Sequence, residues 1–307
     1  MDFYSELDRV YANGEDVEAY LNDFASTLES EGQGSTDQYV MCVNELGSFL
    51  RGRSRYEESI GAFMKAVNVL KGRGEVASEN YATTLNNMAT AYRMMGDNET
   101  AKEFYFESLE TYDSLPGGFD GYLYAGVLNN ISGLYLSEGD FVQAKEYLNR
   151  AINILEKHPE YVDEIATSKT NLSSLYIQTE EFDKAEKTVT EAIALFEKLP
   201  YESGHYAMAL NNQAVLKVKS EDYQGAIDIW EVVLVKIKEI FSENADYAYT
   251  SRNLATLYAK IGKYNEAEVK LKKVVEIFNT IFPEGNENTL RAMKELEEIE
   301  ARGEQNG

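Results

Sequence analysis

Apolar positions along this chain recur with a helical period and then break at short polar turns. Leu128, Ile131, Leu134 and Tyr135 fall on one face at helical spacing. Ser137-Glu138-Gly139-Asp140 interrupts the pattern, and Gly139 supplies the permissive backbone of a helix C-terminus. A second stripe follows at Phe141, Ala144, Leu148, Ala151, Ile152 and Leu155. The predicted element is therefore a pair of amphipathic helices joined by a tight turn.

The same pair recurs. Aligned on one small residue, the chain gives Ser59, Ala101, Ala144, Ala185, Ala226 and Ala267, at spacings of 42, 43, 41, 41 and 41. Three residues earlier stands an aromatic at Tyr56, Phe141, Phe182, Tyr223 and Tyr264, with Asn98 the exception. Upstream lies a tyrosine column, Tyr92, Tyr135, Tyr176 and Tyr258, replaced by Leu50 and Lys217 in the other two repeats. Before it comes a small residue at Gly47, Ala89, Ser132, Ser173, Ala214 and Ala255. Small side chains at facing positions let paired helices approach closely, and aromatics at helical spacing belong to the core between repeats.

These columns, small-x-x-Tyr followed by Gly-x-Tyr-x-x-Ala, resemble the tetratricopeptide repeat family. Asn86-Asn87-Met88-Ala89 and Asn129-Asn130-Ile131 look like the kinesin light chain type, whose units are longer than the common ~34 residues. The resemblance implies an all-α fold, a right-handed α-α superhelical solenoid of tandem TPR helix pairs. Six repeats are expected over residues 37–285. Residues 1–36 read as a degenerate leading repeat, with Gly14 and Ala19 keeping the turn-to-alanine spacing. Residues 286–307 read as a glutamate-rich capping helix, which a solenoid needs to close its last exposed face. Lys217 and Asn98 predict local loosening at single sites.

In such arrays the first helices line the concave surface. One column there is unusually uniform: Asn87, Asn130, Asn171, Asn212 and Asn253, with Glu45 in the first repeat. The column before it holds Asn44, Asn86, Asn129, Thr170, Asn211 and Arg252. Asparagine is a mediocre helix former, so propensity does not account for these runs. Its amide both donates and accepts, which suits it to the peptide groups of an extended chain. Kinesin light chains and related scaffolds use an asparagine ladder in this way, and the resemblance implies the same here. The competing reading is that the amides bond to the neighbouring repeat and organise the stack.

The chain carries 29 basic and 53 acidic side chains, a net charge of −24. Nucleic acid and anionic membrane are poor partners for such a surface. The columns expected on the concave face include Arg51, Arg93, Lys219, Arg252 and Lys260 against Glu45 alone, a net of +4 that leaves −28 elsewhere. Lys219, Arg252 and Lys260 could receive a carboxylate, and Arg93 a second anionic group, unless they merely pair with glutamates on adjacent helices. Met94, Met208, Val215 and Tyr249 would add apolar contacts.

Other chemistry finds little support. Cys42, the single cysteine, sits among Val40, Met41 and Val43 and reads as a buried thiol. His158 and His205 lie in or beside loops without ligand spacing, and no nucleophile elbow or phosphate loop is present. The sequons Asn130-Ile131-Ser132 and Asn171-Leu172-Ser173 lie inside predicted helices. The opening Met1-Asp2-Phe3-Tyr4-Ser5-Glu6 lacks the pattern of a signal peptide, and the expected location is cytosolic. The expectation is a non-enzymatic scaffold without cofactors, binding a protein or peptide that presents acidic groups or a free C-terminus. The alternatives are self-association without a separate ligand, and the sensor arm of a peptide-responsive regulator.

Overall fold

The computed structural model describes residues 3–116, 121–200, 203–282 and 285–306. Met1 and Asp2, read above as part of the opening segment, lie outside them. Among the described residues there are fifteen α-helices and no strand. A short pair, α1 (Phe3–Ala12) and α2 (Val17–Ser30), comes first. Six longer pairs follow: α3 (Asp37–Gly52) with α4 (Tyr56–Gly72), α5 (Glu79–Met95) with α6 (Asn98–Asp113), α7 (Tyr122–Glu138) with α8 (Phe141–Leu155), α9 (Val162–Gln178) with α10 (Phe182–Phe196), α11 (Tyr206–Lys219) with α12 (Tyr223–Phe241), and α13 (Ala245–Lys260) with α14 (Tyr264–Ile281). The chain ends in α15 (Glu287–Asn306).

Turn chemistry explains the sharp reversals inside each pair. Two or three residues separate the helices of each of the six longer pairs. One of them is always left-handed: Ser54, Gly96, Gly139, Glu180, Glu221 and Gly262. Their spacing repeats that of the alanine column, so the turn and the helix contact share one register. In three turns the left-handed residue is not glycine, which costs about 1–2 kcal/mol for an L side chain. Asp97, Asp140 and Asp222 then cap the second helix by accepting from Thr100, Gln143 and Gly225 N–H. Thr36, Ser78 and Asn244 do the same for α3, α5 and α13.

The chain forms two compact units, Met1–Leu134 and Tyr135–Gly307. In the first, Phe3, Leu7 and Val10 of α1 join Leu21 of α2, Val43 of α3 and Phe63 of α4 in one apolar cluster. Ser59, Gly47's partner across α3 and α4, donates its hydroxyl to the Gly47 carbonyl at 2.7 Å. A methyl group on Gly47 would lie 2.7 Å from the Phe63 ring, so that approach is as close as the backbone permits. Cys42 is fully buried, and burial pushes its thiol up to about 12. In the second unit Ala226, Trp230, Leu254, Ala255, Ala267 and Ile299 share a cluster, so α15 contributes to the core.

The alanine column is completely buried at Ala101, Ala144, Ala185, Ala226 and Ala267. The aromatic three residues earlier is only half-buried at Phe141, Phe182, Tyr223 and Tyr264, although Tyr56 is enclosed. The tyrosine column instead stacks inside its own pair, Tyr92 on Phe104 at 5.7 Å and Tyr135 on Tyr147 at 5.6 Å. Where Lys217 takes the place of tyrosine, its ammonium reaches Asp222 at 2.9 Å, the capping residue of α12.

Two substitutions test the shared register with opposite signs. Ala226→Leu should destabilise the protein by about 1–3 kcal/mol, because the close helix contact has no room for three further carbons. Glu221→Gly should stabilise it by about 0.5–1 kcal/mol, relief of left-handed strain exceeding the added chain entropy. Urea unfolding followed by circular dichroism reads both.

Candidate peptide-binding face

The candidate residues stand on the first helix of each pair. Periodicity of 3.6 puts Asn44 and Arg51 on one stripe of α3, and Asn86 and Arg93 on the matching stripe of α5. The two asparagine columns run side by side on these helices, and many of their amides bond from one helix to the next. In the first compact unit, Asn44 Nδ2 donates to Thr84 Oγ1 at 3.0 Å and to the carbonyl of Val40 on its own helix. Asn130 Nδ2 donates to Asn86 Oδ1 at 3.0 Å, linking α7 to α5. Arg51 Nη1 donates to the backbone carbonyl of Asn87 at 3.1 Å. Asn129 is buried.

The second unit repeats the diagonal pattern. Asn212 is buried, and its amide nitrogen lies within hydrogen-bond distance of the Thr170 carbonyl, Ser173 Oγ and Ser174 Oγ on α9. Asn211 Oδ1 accepts from Trp230 Nε1 at 2.8 Å and from Asn253 Nδ2 at 3.5 Å. Two members of the uniform column differ from these. The side-chain amides of Asn87 and Asn171 are half-exposed and make no hydrogen bond among the described residues. One column thus contains both amides bonded to the neighbouring helix and amides without a partner among the described residues.

The basic residues divide in the same way. Arg252 grips Glu295 of α15 with two hydrogen bonds, Nε to Oε2 at 2.6 Å and Nη2 to Oε1 at 2.5 Å, and its side chain is only 15% exposed. Burial pushes the Glu295 carboxyl upward, but the hydrogen bonds and charges of Arg252 and Arg291 together outweigh it and hold the group below its ordinary 4.5. Lys219 and Lys260 are exposed, each with its ammonium over an aromatic ring of the preceding pair: Phe182 at 5.3 Å and Tyr223 at 4.8 Å. Arg93 is half-buried, and its Nε is enclosed without a hydrogen-bond partner.

Apolar side chains continue the face beyond the residues singled out by sequence. Met208 and Tyr249 are each 37% exposed, and Leu290 on α15 is 55% exposed, 41 residues further along the same column. Met293 is exposed beside it. The abundance of glutamate in α15 concealed these two, and it also concealed Glu295 as the carboxylate that occupies Arg252. The column spacing carried to position 290 is the signal that finds them. Among the described residues no group of three or more His, Cys, Asp or Glu is placed to hold a metal ion, and no helix is long and apolar enough to cross a membrane.

Comparison with known proteins agrees with this architecture. The profile of the tetratricopeptide repeat matches residues 39–114 and 123–198, and that of anaphase-promoting complex subunit 5 matches residues 213–280. No curated protein matches the sequence. Among solved structures, BtubC (BKLC) from P. vanneervenii is similar at 23% identity with a TM-score of 0.50, covering 78% of this chain and 95% of that one. That likeness speaks for the fold alone. A Podosopora anserina kinesin light chain candidate with nearly identical TPR-like repeats is 19% identical, with a TM-score of 0.43, over 66% of this chain and 98% of that one.

The two classes of amide should separate in stability measurements. Asn212→Ala should cost about 1–2 kcal/mol, since it removes buried bonds between α11 and α9, whereas Asn87→Ala should stay within about 0.5 kcal/mol. The Arg252–Glu295 pair gives a pH test. Because the folded carboxyl lies below its ordinary 4.5, its contribution is complete above that value and is lost as pH falls through the lower folded value. Hydrogen exchange should show α15 losing protection over that acid range, and Glu295→Gln should remove this pH dependence.

Proposed function

We propose that this chain, which belongs to the tetratricopeptide repeat family, is a non-enzymatic scaffold that holds an extended segment of a partner polypeptide against its first helices. Repeats of this class build extended protein-binding surfaces. The observation that carries the finer reading is a half-exposed, unbonded side-chain amide on a first helix of each compact unit, Asn87 on α5 in the first and Asn171 on α9 in the second. A primary amide can donate to a peptide carbonyl and accept from a peptide N–H without regard to the side chain attached. Asn44, Asn86, Asn130 and Asn212 support that role by bonding the helices that carry the open amides to their neighbours, while Asn211 and Asn253 join α11 to α13. Those among them that are half-exposed offer their remaining lone pairs or protons.

Selectivity in this reading comes from the residues around the amides. Met208 and Tyr249 supply exposed apolar contact in the second compact unit. Lys219 and Lys260 keep exposed ammonium groups for an acidic side chain or a terminal carboxylate. Arg252 is already neutralised by Glu295, so its part is to fix α15, unless an incoming carboxylate displaces that partner.

An array of extended peptides with acidic or basic ends, read by fluorescence anisotropy, tests the proposal. A bound peptide should weaken by about two- to tenfold for each of Asn87→Ala and Asn171→Ala, as expected for one net hydrogen bond apiece. Lys219→Glu with Lys260→Glu should weaken acidic peptides and flatten the salt dependence. Unchanged affinity in both asparagine variants, or a fixed oligomer by light scattering that binds no peptide in the array, would reject the peptide-holding role in favour of self-association.

A further inference from the structure

Arg51 and Arg93 occupy the same position on successive first helices, 42 residues apart, in the last turns of α3 and α5. Among the described residues neither forms an ion pair. By contrast, Arg9, Arg55, Arg73 and Arg252 each hold one or two carboxylates. In a chain with 53 acidic side chains, two neighbouring arginines without a carboxylate between them are not a product of scarcity.

Both side chains are half-buried. Arg51 spans from α3 to the Asn87 carbonyl of α5, with its guanidinium 5.9 Å from the Phe63 ring centroid. Burial holds the Arg51 guanidinium below the usual arginine range, and the Arg93 cation acts in the same direction. Arg93 Nε is enclosed and has no acceptor. Nearby hydroxyls are already engaged: Tyr105 Oη donates to Thr90 Oγ1, which donates to the Asn86 carbonyl. Glu45 is the carboxyl that feels Arg51, but burial raises it above its ordinary value and it takes a hydrogen bond from Tyr4. The desolvated Arg51 cation and the half-buried Arg93 cation repel one another, and Arg93 Nε goes without an acceptor. An anion at the accessible N–H groups of the two guanidiniums would relieve the repulsion.

We propose that Arg51 and Arg93 form a binding site for a phosphate group on the first-helix face of residues 3–134. A phosphate monoester brings a charge near −2 and three strong acceptor oxygens, which matches two guanidiniums better than a single carboxylate does. The phosphate is either free or carried on a side chain of the bound polypeptide. The second case rests on the peptide-holding role proposed above, while the first stands without it.

The test separates the two. Melting of the full chain in inorganic phosphate is compared with melting in chloride at equal ionic strength. The wild type should melt about 2–4 °C higher in saturating phosphate, and Arg93→Gln should lose the shift. Arg93→Lys, which keeps the charge but not the planar fork, should retain part of it. A phosphoserine peptide and its serine twin, chosen from the peptides that bind the array, form the second arm. A phosphoserine peptide at least tenfold tighter than its twin, with the difference lost in Arg93→Gln, assigns the phosphate to a partner chain. Equal affinity with the melting shift intact assigns it to free phosphate. Equal melting in phosphate and chloride with equal peptide affinity, or an Arg93→Gln protein that responds as the wild type does, overturns the site.

Discussion

The close approach of the two helices within each pair sets the geometry on which everything else depends. Where Gly47 faces Ser59 the backbone carbonyl of one helix takes a hydrogen bond from the side chain of the other, and even a methyl group would meet the Phe63 ring. Alanine fills the same position in the other pairs and is fully buried in all of them. Contact of this kind leaves little freedom in the angle of each pair. Dispersion and apolar burial then hold the next pair against it, and the left-handed residue of each turn falls in the same register. A repeat built on larger residues at these points would separate its helices and lose the register of the surface columns.

That register is what brings amides of adjacent first helices within bonding distance. Asn130 reaches Asn86 in one compact unit, and Asn212 reaches Thr170, Ser173 and Ser174 in the other. These bonds convert a surface that could bind into part of the frame. The column is consequently not uniform in role, although it is uniform in sequence. Amides that find a partner on the neighbouring helix hold the stack; Asn87 and Asn171, which do not, stay available. The basic residues follow the same division, with Arg252 consumed by Glu295 while Arg93 keeps a buried donor unmet.

Much of the fold was legible because its signal is repeated. Six copies of the small-residue and alanine columns give the helix pairs, their turns and the buried face, and the observed helices keep that spacing. The leading segment was marked in sequence by Gly14 and Ala19, and its Phe3, Leu7, Val10 and Leu21 lie in the first apolar cluster. The site was legible only as columns. Whether Asn212 or Asn171 has a partner depends on small differences at neighbouring positions, such as the serine hydroxyls at 173 and 174, which periodicity does not resolve. The aromatic ahead of each alanine was expected in the core, yet Phe182 and Tyr223 are half-exposed platforms for lysines. Composition misled at α15, where glutamates hid both the partner of Arg252 and the exposed Leu290 and Met293.

The central claim is that one asparagine column is split between holding the stack and holding a ligand. Side-chain amide resonances of asparagine, followed by nitrogen-15 NMR while an array-selected peptide is titrated in, address it residue by residue. The account predicts that the Asn87 or Asn171 amide shifts early and saturates with the peptide, while the Asn212 amide, bonded to α9, keeps its position. Early movement of Asn212 with Asn87 and Asn171 both unmoved would contradict it.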